Sequence, residues 1–245
     1  MSHIPALTFQ PLRITAHLAS GFASANPWGI ALDGLLASEL RGIQKALLTG
    51  LGHDVVGAMD SDNPPDLRLP LARCTLSPTW HWAATCGQPS HPDIRPEVHT
   101  WTARVDARHL EQATSYLPKT VSDRQGRYKA HRMHVLVTPA TSLTWQAIGD
   151  LDAISDLLDG ISAIGKKRSQ GEGHVLAWEV VTVDVDEFAA AHCHPDGTLG
   201  RPTPIECLDA HPELRTHLAM AGLRPPYMHP SRRSQAYLPQ AGWVA

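Results

Sequence analysis

The nine residues Gly165-Lys166-Lys167-Arg168-Ser169-Gln170-Gly171-Glu172-Gly173 place three consecutive cations between glycines. Glycine lets a backbone turn tightly and aim successive N–H groups at one point, and the flanking charges favour an anion there. Gly165, Gly171 and Gly173 therefore serve the turn, while Lys166, Lys167 and Arg168 serve phosphate binding. The loop is not a P-loop, because GxxxxGK[ST] is absent and the loop follows an expected helix. It is not a dinucleotide fingerprint either.

A second constellation is Arg124, Arg127, Tyr128, Lys129 and Arg132. Guanidinium groups grip phosphate with two parallel hydrogen bonds, and an aromatic ring among them offers a stacking surface for an unpaired base. Arg13, on the polar side of an expected strand, and Arg224 with Tyr227 near the end of the chain extend the same chemistry. His131 and His134 beside Tyr128 and Lys129 open an alternative: general acid/base cleavage of RNA without a metal.

The four cysteines, Cys74, Cys86, Cys193 and Cys207, include no CxxC pair. Metal ligation would have to use His192-Cys193-His194 with Cys207, or Cys74 with His81 and Cys86. Neither grouping presents two ligands from one turn. Separated cysteines are expected as buried apolar side chains, and four in this length do not make a disulfide scaffold. No metal and no cofactor are expected. In Trp80-His81-Trp82 the two indoles are expected in the core with His81 facing out, and Asp33 is expected to cap a helix.

These residues must be held by a small set of elements. Leu12, Ile14, Ala16 and Leu18 alternate with Arg13, Thr15 and His17, which predicts a half-buried strand. Leu36, Leu40, Ile43 and Leu47 recur at helical spacing, closed by Gly50 and Gly52. Residues 67–86 read as a hairpin or irregular strands. Strands are expected over 98–106 and 134–138, bracketing a basic hairpin at about 107–133. Trp145, Ile148, Leu151, Ile154 and Leu158 predict a second helix, followed by the glycine loop and a strong strand from His174 to Val185. The order strand, helix, two strands, helix, strand is that of an α+β, ferredoxin-like unit. It would occupy residues 1–190, with a Pro- and His-rich extension over 191–245 that carries a short helix near Glu213–Ala221.

The chain has 245 residues, 42% of them apolar and 18% charged, enough for a sizeable core and too apolar for general disorder. Its 21 Lys and Arg against 24 Asp and Glu leave a net charge of -3, which taken alone argues against a nucleic-acid binder. The charges are segregated, however. Between Arg104 and His134 lie seven basic and three acidic side chains, and after Glu213 there is no acid at all. Local potential, not the total, governs binding to a phosphate backbone. No apolar run is long enough to span a bilayer and no secretion signal opens the chain, so a cytoplasmic protein without a membrane partner is expected.

The glycine-rich basic turn ahead of a final strand resembles the signature loop of the RAMP superfamily of CRISPR proteins. Ile30-Ala31-Leu32-Asp33-Gly34-Leu35-Leu36-Ala37 resembles the LDGLLA-type helix entry of its type IV members. Gly126-Arg127-Tyr128-Lys129 falls where their thumb hairpin lies, and Arg224-Pro225-Pro226-Tyr227 with His229-Pro230 resembles their C-terminal RPPY element. Together, from about Leu12 to Pro230, the chain is similar to the crRNA 5′-handle-binding subunits, the family numbered five among the Cas proteins. The resemblance implies a non-catalytic subunit of a defence ribonucleoprotein that binds the guide's 5′ handle and caps a filament of backbone RAMP subunits. It would sit beside the large subunit near target DNA, with a DinG-like helicase as a further partner.

Overall fold

Leu12, Ile14, Ala16 and Leu18 all point to one side of β1 (Gln10–Leu18) and are buried, while Arg13 and His17 on its other side are exposed. That period of two lets one strand carry a core face and a polar face. β1 is central. In the computed structural model, which describes residues 7–53, 62–103, 108, 112, 122, 124, 125 and 129–240, β1 pairs antiparallel with β7 (Ser142–Gly149) and β8 (Val175–Thr182). With β4 (Gln88–Pro89) at the far edge, the sheet order is β4-β7-β1-β8. Ile14 lies opposite Trp145 on one side and Val180 on the other. Helices α1 (Leu32–Gly50) and α2 (Leu151–Leu158) cover this face, placing Leu32, Leu36, Ile154 and Leu158 against Leu12, Leu143 and Trp145. The fold class is α+β, built on antiparallel sheets with few helices.

Several expectations are corrected. Residues 145–148 belong to β7, not to a helix. Leu143, Trp145 and Ala147 are buried at period two, and Asp150 starts α2 by accepting a hydrogen bond from Ala153 N at 3.0 Å. The run Trp145–Ile148–Leu151 has helical spacing only because a strand residue and a helix residue straddle that cap. Asp33 does not cap α1: the cap is Ala31, and Asp33 lies fully buried in the first turn. The stripe on α1 is buried only in its first half, since Ile43 and Leu47 are 43% and 64% exposed.

The strands expected at 98–106 and 134–138 are β5 (Glu97–Ala103) and β6 (His131–Val137). They form a separate two-stranded ribbon in register from Glu97↔Val137 to Ala103↔His131, outside the main sheet. Val98 and Leu136 on it are exposed, and only its base, at Val137, is buried against the rest of the protein. β4 and β7 fill the two positions in the main sheet instead. β2 (Arg73–Cys74) and β3 (His81–Trp82) make a short hairpin beside them.

The C-terminal part is more regular than its proline content suggests. α3 (Glu187–His192), capped by Asp186, leads to Cys193, whose carbonyl accepts from Gln146 Nε2 of β7 at 3.0 Å. β9 (Thr203–Pro204), β10 (His217–Gly222) and β11 (Arg233–Leu238) form a second sheet in the order β10-β11-β9. The helix expected near Glu213–Ala221 is a single 3-10 turn, Pro212–Leu214, followed by β10. Ala219 and Ala221 alternate inward along that strand, and a two-residue period favours extended backbone.

Candidate nucleic-acid interface

The glycine loop has the geometry its composition demands. Gly165 and Gly173 have φ of 79° and 68°, and a side chain would lie 2.3 Å from Ala23 O and 2.0 Å from Ile164 O respectively. Neither position tolerates a Cβ. Lys167 also adopts left-handed backbone, φ 61°, and opens the 3-10 turn Arg168–Gln170. The amides do not form a ring aimed at one anion, as the glycines suggested. Lys166 N donates to Ala23 O, Gly173 N to Gly21 O, Gln170 N to Lys167 O and Gly171 N to Arg168 O. These four hydrogen bonds dock and tighten the loop, which leaves its side-chain cations, not these amides, as the groups able to meet an anion.

The three cations point to different places. Lys166 and Arg168 are exposed and line a groove of about 460 Å3. Lys167 is half-buried against the ribbon, its Nζ 5.3 Å from the Trp101 ring centre and 3.8 Å from Met133 Sδ. His99 Nδ1–H donates to Glu172 Oε1 at 2.8 Å, latching ribbon and loop a second time. That carboxylate, first through its hydrogen bond, holds His99 above the usual imidazole range. The loop and the ribbon base are therefore one surface.

Across the groove from the loop stand Met220 and Arg233 on the second sheet, with Met228 and Trp28. Met220 and Met228 are 54% and 73% exposed. Cations beside flat and flexible apolar side chains suit a nucleotide, which has both a phosphate and a base face. The sequence reading missed Trp28, Met220, Met228 and Arg233 as site residues. Only Arg233 had a signal, as one of the cations of the acid-free tail.

The other sequence-picked residues divide. Arg13, Arg124, Lys129 and Arg132 are exposed. Arg127 and Tyr128 lie outside the described residues. Arg224 is occupied inside the protein: it reaches Asp66 Oδ1 at 3.4 Å and Trp80 O at 3.1 Å, and lies 4.3 Å from the Trp80 ring centre. Arg232 also pairs with Asp66, at 2.9 Å, and Arg215 pairs with Asp209 at 3.1 Å. Of the four tail arginines, Arg233 remains exposed without a carboxylate among these ion pairs. Tyr227 donates its hydroxyl to Asp33 Oδ1 at 2.5 Å. Burial pushes Asp33 above the usual carboxylate range, opposed by the charge of Arg201 at 4.0 Å. His131 and His134 sit three apart on β6 and so face opposite ways. His131 Nδ1–H donates to Lys129 O, and His134 is hydrogen-bonded to Thr100 Oγ1. No acid/base pair is assembled from them.

Cys74, His81, His192 and Cys207 meet in the interior, their ligand-type atoms all within 4.8 Å of one another. His81 thus faces in, contrary to the expectation from Trp80-His81-Trp82, while Trp82 is buried as expected. Burial, then the charge of Arg201, lowers His81 to about 4. With the shared proton on Cys207, its hydrogen bond makes Cys74 the thiol that ionises more readily. The two remaining thiols are ordinary buried ones: burial pushes Cys86 up to about 12 and Cys193 to about 11.

A family model described as CRISPR type IV associated protein Csf3 matches residues 10–239. No curated protein matches the chain.

Proposed function

The chain belongs to the Csf3 family of CRISPR type IV associated proteins, and on that premise we propose that it is the guide-RNA 5′-handle-binding subunit of a type IV effector complex. It acts by holding RNA and neighbouring subunits, without a catalytic centre of its own. The observation that carries the reading is the groove where Lys166 and Arg168 of the loop face Arg233, Trp28, Met220 and Met228, beside a ribbon latched to the glycine loop. Phosphates would lie along the cations and an unpaired base against the apolar side chains.

Three further features support it. The run β1, α1, β4, β7, α2, β8 with the order β4-β7-β1-β8 suits a ferredoxin-like, RAMP-type unit. The ribbon carries Arg132 and brackets residues 104–130, a segment basic in sequence and mostly outside the described residues, which is where the thumb hairpin is expected. The second half of α1 and its C-cap leave Ile43, Leu47, Leu48 and Leu51 exposed, a surface fit for a backbone or large subunit. Among the described residues no helix is long and apolar enough to cross a membrane. A cytoplasmic ribonucleoprotein accommodates all of this. The nuclease alternative has less behind it, because His131 and His134 face opposite ways.

The test is binding of handle RNA over a salt series by wild type and by Lys166→Ala/Arg168→Ala/Arg233→Ala. Each lost phosphate contact flattens the slope of log K against log salt by about 0.7 for single strands. Three lost contacts change it by roughly 2. Lys167→Ala, whose ammonium is packed on Trp101, should change the slope less than Lys166→Ala. An unchanged slope in the triple variant refutes the groove as the RNA site.

A further inference from the structure

Cys74 ends β2, His81 begins β3, His192 ends α3, and Cys207 sits in the 3-10 turn Ile205–Leu208. Three separate stretches of chain thus bring two thiols and two imidazoles to one point. They are 9%, 0%, 1% and 3% exposed respectively. The sulfurs are 3.9 Å apart, and Cys207 Sγ is 3.7 Å from His81 Nε2. A tetrahedron with metal–sulfur bonds of about 2.3 Å and metal–nitrogen bonds of about 2.0–2.1 Å has edges of roughly 3.3–3.8 Å. The observed separations are near that size, and a modest inward shift of the widest pair completes it.

Both imidazoles are prepared for ligation. His81 Nδ1–H donates to Trp82 O at 2.9 Å and His192 Nδ1–H to Phe188 O at 3.0 Å. Each bond fixes the tautomer that leaves the Nε2 lone pair facing the other three groups, the usual outer support of a metal-binding histidine. His192 Nε2 is buried and has no hydrogen-bond partner among the described residues. A buried acceptor without a partner is costly, and a metal ion supplies the missing one. Phe188 stacks on the His192 ring, with centres 4.6 Å apart, and Ser77 Oγ donates to Glu206 Oε2 at 2.8 Å, bracing the β2–β3 loop against the turn that carries Cys207.

We propose that Cys74, His81, His192 and Cys207 form a closed structural zinc site that fastens the C-terminal region to the β2–β3 hairpin. Two thiolates and one divalent ion sum to zero charge, which suits a buried position, and mixed sulfur and nitrogen ligands in a tetrahedron select zinc. All four positions are filled by protein, so the ion holds structure and leaves no site for a reacting water. The two sequence groupings each contained half of the set. Cys86, Cys193 and His194 are not members.

The experiment is metal analysis of the full chain, purified without chelator, reconstituted with zinc chloride and desalted. Close to one zinc per chain is expected. Cys74→Ser and His192→Ala should each lower retained zinc on the order of tenfold, whereas Cys86→Ser and Cys193→Ser should leave it unchanged. Should the ligand variants fail to fold, wild type loaded with cobalt(II) still decides. The visible absorption of a tetrahedral thiolate site is expected, with loss of thermal stability on chelation. Failure to retain zinc, a Cys74–Cys207 disulfide seen by mass spectrometry, an octahedral cobalt spectrum, or full zinc content in folded Cys74→Ser would each overturn the proposal. None of these outcomes depends on whether the groove binds RNA.

Discussion

Replacing Arg201 by methionine tests how the two halves of the chain are joined. The Arg201 side chain is 3% exposed, donates to Trp82 O, to Ala84 O at 2.6 Å and to Leu223 O at 2.6 Å, and faces Asp33 at 4.0 Å. Leu223 follows β10, and Trp82 and Ala84 belong to the β3 region, so one guanidinium ties both parts to α1. Removing one partner of a buried charge pair costs about 3–5 kcal/mol. Each unsatisfied carbonyl adds about 1–3 kcal/mol where nothing replaces the donor. Trp82 O keeps its bond from His81 Nδ1, and Asp33 can take up a proton. The contributions therefore do not add fully, and about 3–5 kcal/mol is the expected loss. In a chain of this length that lowers Tm by roughly 6–20 °C. Urea unfolding followed by the fluorescence of the seven tryptophans measures it.

The pH dependence has a definite sign. Without Arg201, burial is opposed only by the hydrogen bonds from the Tyr227 hydroxyl and the backbone, and it raises the folded pKa of Asp33 further above the unfolded value. The folded variant then binds more protons than the unfolded chain, so its stability falls as pH rises between those two values. The deficit should be smaller near pH 5 than near pH 8. Asp33→Asn keeps a partner for the Tyr227 hydroxyl and should rescue part of the Arg201→Met loss in the double variant. A single-variant loss below about 1 kcal/mol, against the 3–5 kcal/mol of a broken buried pair, refutes the clamp. Strict additivity of the two substitutions refutes it equally.

Gly173→Ala, which places a Cβ against Ile164 O at φ 68°, should destabilise more than Gly171→Ala, where φ is 91° and nothing lies within 4 Å. The second substitution should cost only the backbone penalty of about 1–2 kcal/mol, and thermal unfolding of the pair measures the gap. His99 should titrate above the ordinary histidine value by proton NMR and fall back in Glu172→Gln. Because its folded pKa is raised, the latch is fully present below the unfolded pKa and is lost as pH rises through the folded value. Hydrogen exchange in the glycine loop should accelerate across that range.

The half-buried β1, the glycine loop and the strand after it were legible because each is local: alternation, composition and order sit within ten residues. The main sheet's second and third strands were not. β4 has two residues, and the ribbon at Glu97–Val137 offered stronger strand signals while lying outside the sheet. Charge was legible as segregation but not as availability. Asp66 accepts both Arg224 and Arg232, and Asp66 is over 150 residues away in sequence, beyond any spacing rule. The cysteine–histidine cluster stayed hidden for the same reason, since Cys74 and Cys207 are 133 residues apart. Side chains that meet through tertiary folding leave no periodic trace.

The central claim is that this chain holds the 5′ end of a guide RNA. The most direct measurement is sequencing of the small RNA that co-purifies with the chain expressed beside a CRISPR array, in wild type and in Lys166→Ala/Arg168→Ala/Arg233→Ala. The account predicts RNA sharing a common 5′ end on the wild type and marked depletion on the triple variant. RNA with random ends, or equal recovery on both proteins, would contradict it.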